Sequence, residues 1–121
     1  QLALIMQMTK DYFMDVNIIP CEIVRDTNGL ALSSRNAYLD DEQKQRALAL
    51  SKSLKRASKL ISSGELDTQT IKAQMIEVLD SVDSIEYVAI VDRGFSEIDT
   101  IKIDNSIILV AAWVGKTRLI D

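Results

Sequence analysis

The stretch DDEQKQRALALSKSLKRASKLISSG, residues 40–64, decides how this chain folds. Its apolar residues recur at alternating intervals of three and four, which places them on one face of an α-helix. Asp40 and Gln43 have the spacing of a capping box and mark the start of the helix, and Gly64 marks its end. We therefore predict an amphipathic helix of about five turns. Its buried stripe consists of Ala47, Leu50, Leu54, Ala57 and Ile61.

A second helix and several strands follow this stretch. Asp67 or Thr68 caps a helix whose inward-facing residues continue to Val82. The period then changes, because residues 85–92 are rich in β-branched residues and residues 106–114 form a nearly continuous apolar run. A short alternating segment, 98–103, lies between them and completes three strands. We predict an α+β fold, with a small, mainly antiparallel three-stranded sheet packed against two long helices.

The residues before the long helix predict a helix–strand segment that leads into a polar loop. Residues 1–14 have roughly helical spacing, and residues 16–24 are rich in β-branched residues. Pro20 restricts that strand to a sheet edge or a bulge. Asn28 and Gly29 predict a type I′ turn, which needs a positive φ at both positions. The loop that follows contains the segment SSRN, residues 33–36.

Composition limits the class of protein. The 121 residues suffice for one domain, and the proportions of hydrophobic (47%) and charged (26%) residues are those of a soluble globular protein. A net charge of −4 argues against nucleic-acid binding, and no apolar run is long enough to span a membrane. Cys21, the single cysteine, is expected to be buried in a protein of the reducing cytoplasm. The chain has no histidine and starts at Gln1 within a helical pattern, so we expect a piece of a longer protein.

Two adjacent serines and an arginine make the SSRN segment the main candidate binding site. In the simpler interpretation the serines satisfy nearby backbone groups, Asn36 caps a short turn, and Arg35 points into water. In the other, the hydroxyls of Ser33 and Ser34 donate to phosphate oxygens and the guanidinium of Arg35 binds phosphate through two N–H groups. The spacing alone favours the simpler interpretation.

The wider sequence around this segment closely resembles a known family. DTNGLALSSRNAYL, residues 26–39, resembles the signature of the pantothenate synthetase (pantoate–β-alanine ligase) family. The first 18 residues resemble the segment after the pantoate-binding region of that family, and AAWVGKTRLID, residues 111–121, resembles its closing strand and turn. The resemblance implies that residues 1–24 lead out of a Rossmann-like N-terminal domain with a histidine motif. Residues 25–121 would then form the C-terminal lid domain with its ATP-phosphate loop.

The resemblance also implies an activity. Members are ATP-dependent, AMP-forming ligases that join pantoate and β-alanine to pantothenate, in the pathway to coenzyme A. They proceed through a pantoyl adenylate and release pyrophosphate, with Mg²⁺ bound through the ATP phosphates. The full-length protein is expected to be a homodimer that binds these small molecules and neither nucleic acid nor membrane. This chain alone is expected to be inactive, since the histidine motif is absent from it.

The site residues implied by the resemblance cluster around the SSRN segment. ATP binding is assigned to Val24, Leu32, Ser33, Ser34 and Arg35. Val24 would contact adenine through its backbone, and Arg35 would be the catalytic residue that clamps the phosphates. Gln1 matches a glutamine whose amide contacts pantoate.

Other interpretations remain open. The helix pair could form a non-catalytic interaction or oligomerisation module, or the chain could be the lid of another adenylating ligase or of a nucleotidyltransferase. Lys116 and Arg118 could reach ATP phosphates, although surface charges paired with Asp121 and Asp92 are the favoured interpretation. Trp113 is expected in the core. The pair Asp40 and Asp41 fits helix capping better than metal binding.

Overall fold

The computed structural model describes all 121 residues, 1–121, as three helices and one three-stranded sheet. The predicted α+β class is confirmed. None of the helices is both long and apolar enough to cross a membrane. The helices are α1 (Leu2–Asp11), α2 (Asp41–Ser62) and α3 (Thr68–Val78), and the strands are β1 (Ser84–Asp92), β2 (Ser106–Val114) and β3 (Thr117–Ile120).

Helix α2 begins and ends as the sequence predicts. Asp40 Oδ1 accepts the backbone N–H of Gln43 at 2.8 Å, and Gln43 Oε1 accepts that of Asp40 at 3.1 Å, which completes the capping box. Gly64, with φ +97°, follows the last turn in the left-handed conformation that favours glycine. The predicted stripe faces the core: Ala47, Leu50 and Ala57 are buried, and Leu54 and Ile61 are half-buried.

Helix α3 packs beside α2 and is shorter than predicted. Asp67 caps it by accepting the backbone N–H of Thr70 at 2.7 Å, and this hydrogen bond lowers the pKa of the Asp67 carboxyl. The α-helix ends at Val78 and continues as a single 3-10 turn, Leu79–Ser81. Ile71 and Leu79 are fully buried in the core that the helices share with the sheet.

The sheet has the order β1-β2-β3 and is antiparallel throughout. The prediction of a strand over 98–103 is wrong, because these residues bond to the start of α3 instead: Thr68 donates its amide to the carbonyl of Asp99 and its hydroxyl to that of Ile98. The third strand is 117–120, within the segment that the resemblance identified as a closing strand and turn. It pairs with β2 across a tight turn in which Gly115 has φ +58°.

Residues 12–24 lie on the surface and form no strand, so the prediction of a strand over 16–24 is wrong. A strand needs a neighbour along its length, and here the backbone pairs with another segment only at the end of this stretch, where the Val24 carbonyl accepts the amide of Leu32. Cys21 is consequently exposed rather than buried as predicted. Helix α1 likewise has no buried residue.

The turn before the SSRN segment differs from the predicted type I′. Only Gly29 has a positive φ, +98°, and its amide donates to the carbonyl of Asp26 at 3.0 Å. The carboxylate of Asp26 also accepts the amides of Asn28 and Leu30, both at 2.9 Å. These side-chain bonds favour a turn around Thr27 and Asn28 closed by a left-handed glycine.

Candidate functional site

The SSRN segment forms a short 3-10 helix, Ser34–Tyr38, on the surface. Ser33 caps it, because its Oγ accepts the backbone N–H of Arg35 at 3.2 Å. Ser33 thus satisfies a backbone group, as the simpler interpretation expects, while its hydroxyl donates to no group within the chain; the cap is Ser33 and not Asn36. The Ser34 hydroxyl and the Arg35 guanidinium make no hydrogen bond or ion pair within the chain, and both residues are exposed.

Both ends of the loop are fixed to the body of the molecule. Leu30 and Leu39, on either side of it, are 8% and 4% exposed and belong to the main core cluster. Arg25, at the base of the preceding turn, forms a bidentate ion pair with Asp121, with N–O distances of 2.6 and 2.8 Å. The loop therefore presents exposed donors from a fixed base.

Asn36 stabilises the loop through one hydrogen bond and has one buried atom without a partner. Its Nδ2 donates to the carbonyl of Ala31 at 2.9 Å. Its Oδ1 is the single buried side-chain nitrogen or oxygen atom without a hydrogen-bond partner. Such a group costs about 1–3 kcal/mol. The loop thus has a buried acceptor available for one donor.

Two open clefts meet at Arg35. The first, of about 750 Å³, lies between the SSRN segment, the start of α2 and the β2–β3 turn. The second, of about 550 Å³, lies between the loop, α1, α2 and β3. Arg35 and Arg118 line both clefts, so Arg35 stands at the boundary between them.

The structure brings together four of the six site residues predicted from sequence. The second cleft is lined by Gln1, Leu32, Ser33 and Arg35. Ser34 adjoins them in sequence and faces solvent without lining either cleft. Val24 lies at the rim of the loop, where its carbonyl accepts the amide of Leu32 at 2.9 Å.

The first cleft is basic. Arg35, Lys116 and Arg118 line it, and no carboxylate does. Arg118 is held by Glu86 through two hydrogen bonds of 2.7 and 2.8 Å, and this pairing lowers the pKa of the Glu86 carboxyl. The prediction that Lys116 and Arg118 pair with Asp121 and Asp92 is wrong. Asp121 lies at the far end of β3 and binds Arg25 instead. In a chain with a net charge of −4, this concentration of cations is a local feature.

Sequence reasoning missed the aromatic walls of this cleft. Trp113 is 37% exposed, so its predicted place in the core is wrong. It stands directly opposite Arg118 in the β2–β3 ladder, while its neighbours Ala112 and Val114 face the core. Tyr38, at the end of the 3-10 helix, forms a second wall. The sequence offered no signal for this position, because β2 is apolar at nearly every residue and only its register with β3 places Trp113 on the outer face.

Several acidic side chains act in capping, in turns or in ion pairs. Asp40 caps α2, as expected, and Asp83 accepts from Arg46 at 2.6 Å. No group of three or more histidine, cysteine, aspartate or glutamate residues is arranged to hold a metal ion.

Comparison with known proteins shows the family of this chain. The sequence model described as pantoate-beta-alanine ligase matches residues 1–121. The chain is 54% identical over 121 residues to the pantothenate synthetases of Campylobacter curvus (strain 525.92) and of Aliarcobacter butzleri (strain RM4018). Each match covers 100% of this chain and 44% of the relative, so the chain spans less than half the length of these relatives.

Solved structures agree with the sequence match. The pantothenate synthetase of Thermus thermophilus superposes with a TM-score of 0.88 at 27% identity, over 99% of this chain and 44% of that one. The pantoate-beta-alanine ligase of Francisella tularensis, complexed with beta-gamma ATP and beta-alanine, superposes with a TM-score of 0.55 at 26% identity, over 100% of this chain and 38% of that one. The match of the family's sequence model to every residue, together with these relatives, shows that this chain belongs to the pantoate–β-alanine ligase family.

Proposed function

We propose that this chain supplies the ATP-phosphate contacts of an enzyme that joins pantoate and β-alanine to form pantothenate. The observation that carries the proposal is Arg35, an exposed guanidinium that has no partner within the chain and stands where two clefts meet. A family member in complex with beta-gamma ATP and beta-alanine adds support. The remaining contacts, including the histidine motif, would come from another part of the whole protein.

The proposed reaction has two steps. In the first, a carboxylate oxygen of pantoate attacks the α-phosphorus of ATP. A new P–O bond forms, the bond to the bridging oxygen breaks, and its electron pair leaves with pyrophosphate. In the second, the amine of β-alanine attacks the acyl carbon, a C–N bond forms, and AMP leaves as the amine loses a proton.

Arg35 would act where negative charge increases during the first step. Charge builds on the α-phosphate and on the departing pyrophosphate, so a fixed cation stabilises the transition state more than the bound substrate. A guanidinium offers two parallel N–H donors to a phosphate and stays charged at every physiological pH. The hydroxyls of Ser33 and Ser34 add donors on the same loop.

The second cleft suits the rest of the nucleotide and the acid. Leu32 supplies an apolar wall next to Ser33, and Val24 lies just outside, where a backbone contact to adenine needs no particular side chain. Gln1, at the start of α1, also lines this cleft and carries an amide that can donate to a carboxylate. These placements support the assignment of Gln1 to pantoate and of Leu32 and Val24 to ATP.

The proposal extends to the whole protein as the family resemblance implies. Mg²⁺ would be held by the ATP phosphates. The full-length enzyme would be a homodimer that acts in the cytoplasm. This chain by itself would not turn over, and an assay of the 121-residue chain with ATP, pantoate and β-alanine tests that point. Measurable pantothenate would refute it.

The main experiment replaces Arg35 in the full-length enzyme. Single-turnover release of pyrophosphate from ATP and pantoate, without β-alanine, isolates the adenylation step. We expect Arg35→Ala to slow this step by about 100-fold or more, as the loss of one transition-state donor typically does. Arg35→Lys should recover only part of the rate, because an ammonium lacks the two-donor geometry.

A matched arginine makes the result specific. Arg56 is exposed on α2, contacts Gln74 and lines neither cleft, so Arg56→Ala should adenylate at the normal rate. An Arg35→Ala enzyme within twofold of the unsubstituted rate would overturn the proposal. If its assembly changed at the same time, the interaction-module interpretation would be favoured instead.

A further inference from the structure

We propose that Lys116 is a second phosphate-binding residue, which holds the pyrophosphate group from the side of the sheet while Arg35 holds it from the loop. This inference rests on the proposed function, because it concerns the same ATP. It assigns a role to the first cleft, which the SSRN segment lines on one side only through Arg35.

The first step of the argument is the position of Lys116. It lies in the β2–β3 turn and lines the same 750 Å³ cleft as Arg35, although 81 positions separate the two in sequence. The Lys116 ammonium has no hydrogen bond or ion pair, and the residue is exposed. Two unpaired cations from different elements thus face one cleft.

The second step concerns charge. Two carboxylates beside this cleft are already paired, Glu86 with Arg118 and Asp83 with Arg46. Lys116 and Arg35 form no ion pair, and no carboxylate lines the cleft that they share. A cleft lined by one sign of charge attracts a ligand of the opposite sign, and a phosphate chain carries several negative charges over a short length.

The third step concerns rigidity. The backbone N–H of Gly115 donates to Asp83 Oδ2 at 2.6 Å, and Arg46 of α2 donates to the same oxygen at 2.6 Å. The side chain of Gln43 fills the space beside Gly115 so closely that a Cβ added there would lie 2.6 Å from its Nε2. These contacts fix the turn to α2, so the Lys116 side chain extends from a fixed base. A fixed base of this kind lowers the entropy cost of binding.

The test measures the affinity of the full-length enzyme for inorganic pyrophosphate by calorimetry, with AMP as a second ligand. We expect Lys116→Met to weaken pyrophosphate binding about tenfold, since one charge-assisted hydrogen bond is lost. AMP binding should stay within twofold, and Lys116→Arg should restore most of the pyrophosphate affinity. Because Lys116 is exposed, the unfolding midpoint should not change.

Two further variants separate the possible results. Lys102→Met removes an exposed lysine that lines neither cleft, and it should leave pyrophosphate binding unchanged. If Arg35→Ala weakens pyrophosphate binding and Lys116→Met leaves it within twofold, this inference is wrong while the proposed function stands. If neither variant changes pyrophosphate binding, both are wrong.

Discussion

The helix–sheet body, residues 41–120, and the tip of the loop, residues 32–35, are built from the same chain in opposite ways. In the body, large side chains such as Ile71 and Met75 have no exposed surface, and the polar Ser53 is buried with a hydrogen bond to the Leu50 carbonyl. At the tip every residue is exposed, and the arginine and one serine have no side-chain partner within the chain.

This difference separates two kinds of residue. Burial of apolar area drives folding, so the body determines stability. Unpaired donors on the surface contribute little to folding and remain available to a ligand. Substitutions of buried residues in the body should therefore change the free energy of unfolding, whereas substitutions of Ser34 and Arg35 at the tip should change only the proposed adenylation reaction.

The largest stability effect is expected at the centre of the body. Ile71→Ala removes a fully buried side chain from α3 and leaves a cavity, which should lower the free energy of unfolding by about 2–5 kcal/mol. Urea denaturation measures the change. Ile76→Ala, on the same helix but 48% exposed, is the matched control and should cost less than about 1 kcal/mol. Equal losses in the two variants would show that burial does not set the stability of this region.

A smaller effect is expected where the body holds the base of the loop. The Asp121 side chain is 4% exposed and accepts both N–H groups of Arg25. Asp121→Asn should lower the free energy of unfolding by about 1–3 kcal/mol, because a partly buried guanidinium loses its charged partner. It should also speed hydrogen exchange of the Leu32 amide, which bonds across the base of the loop. Asp80→Asn, at an exposed aspartate without a partner, is the control. If the hydrogen exchange of the Leu32 amide in Asp121→Asn is slower or unchanged, the ion pair does not fix the loop.

Lowering the pH is expected to have the smallest effect on the free energy of unfolding. Hydrogen bonds from Thr70, Arg46 and Arg118 lower the pKa values of Asp67, Asp83 and Glu86, respectively, below 3.8 for the aspartates and 4.5 for the glutamate. Their contribution to stability is complete above those ordinary values and is lost as the pH falls through the lower, folded-state values. Stability should therefore decrease below about pH 4. Urea denaturation across this pH range should show that the free energy of unfolding depends less on pH in Asp83→Asn. If the pH dependence is the same as in the unsubstituted protein, Asp83 does not contribute to it.

The sequence predicted those parts of the fold that depend on local chemistry. The capping box of Asp40 and Gln43 and the regular spacing of α2 are local, and both were confirmed. The assignments at 16–24 and 98–103 failed because a strand depends on a neighbour, which local pattern does not reveal. Residues 98–103 have strand-like alternation yet bond to Thr68 at the start of α3.

The candidate site was predictable only in part. The SSRN segment was visible because its residues are contiguous, and the family resemblance added Gln1. The cleft between Arg35 and Lys116 could not be predicted, because it forms only when folding brings the β2–β3 turn beside the loop. Trp113 was misplaced for a related reason: its apolar neighbours predicted burial, whereas the register of β2 and β3 places it opposite Arg118 on the outer face.

The most direct measurement of the central claim is a structure of the full-length enzyme with an ATP analogue bound. We predict that the guanidinium of Arg35 and the hydroxyls of Ser33 and Ser34 lie within about 3.2 Å of phosphate oxygens. A complex in which all three side chains point away from a fully ordered triphosphate would contradict the account.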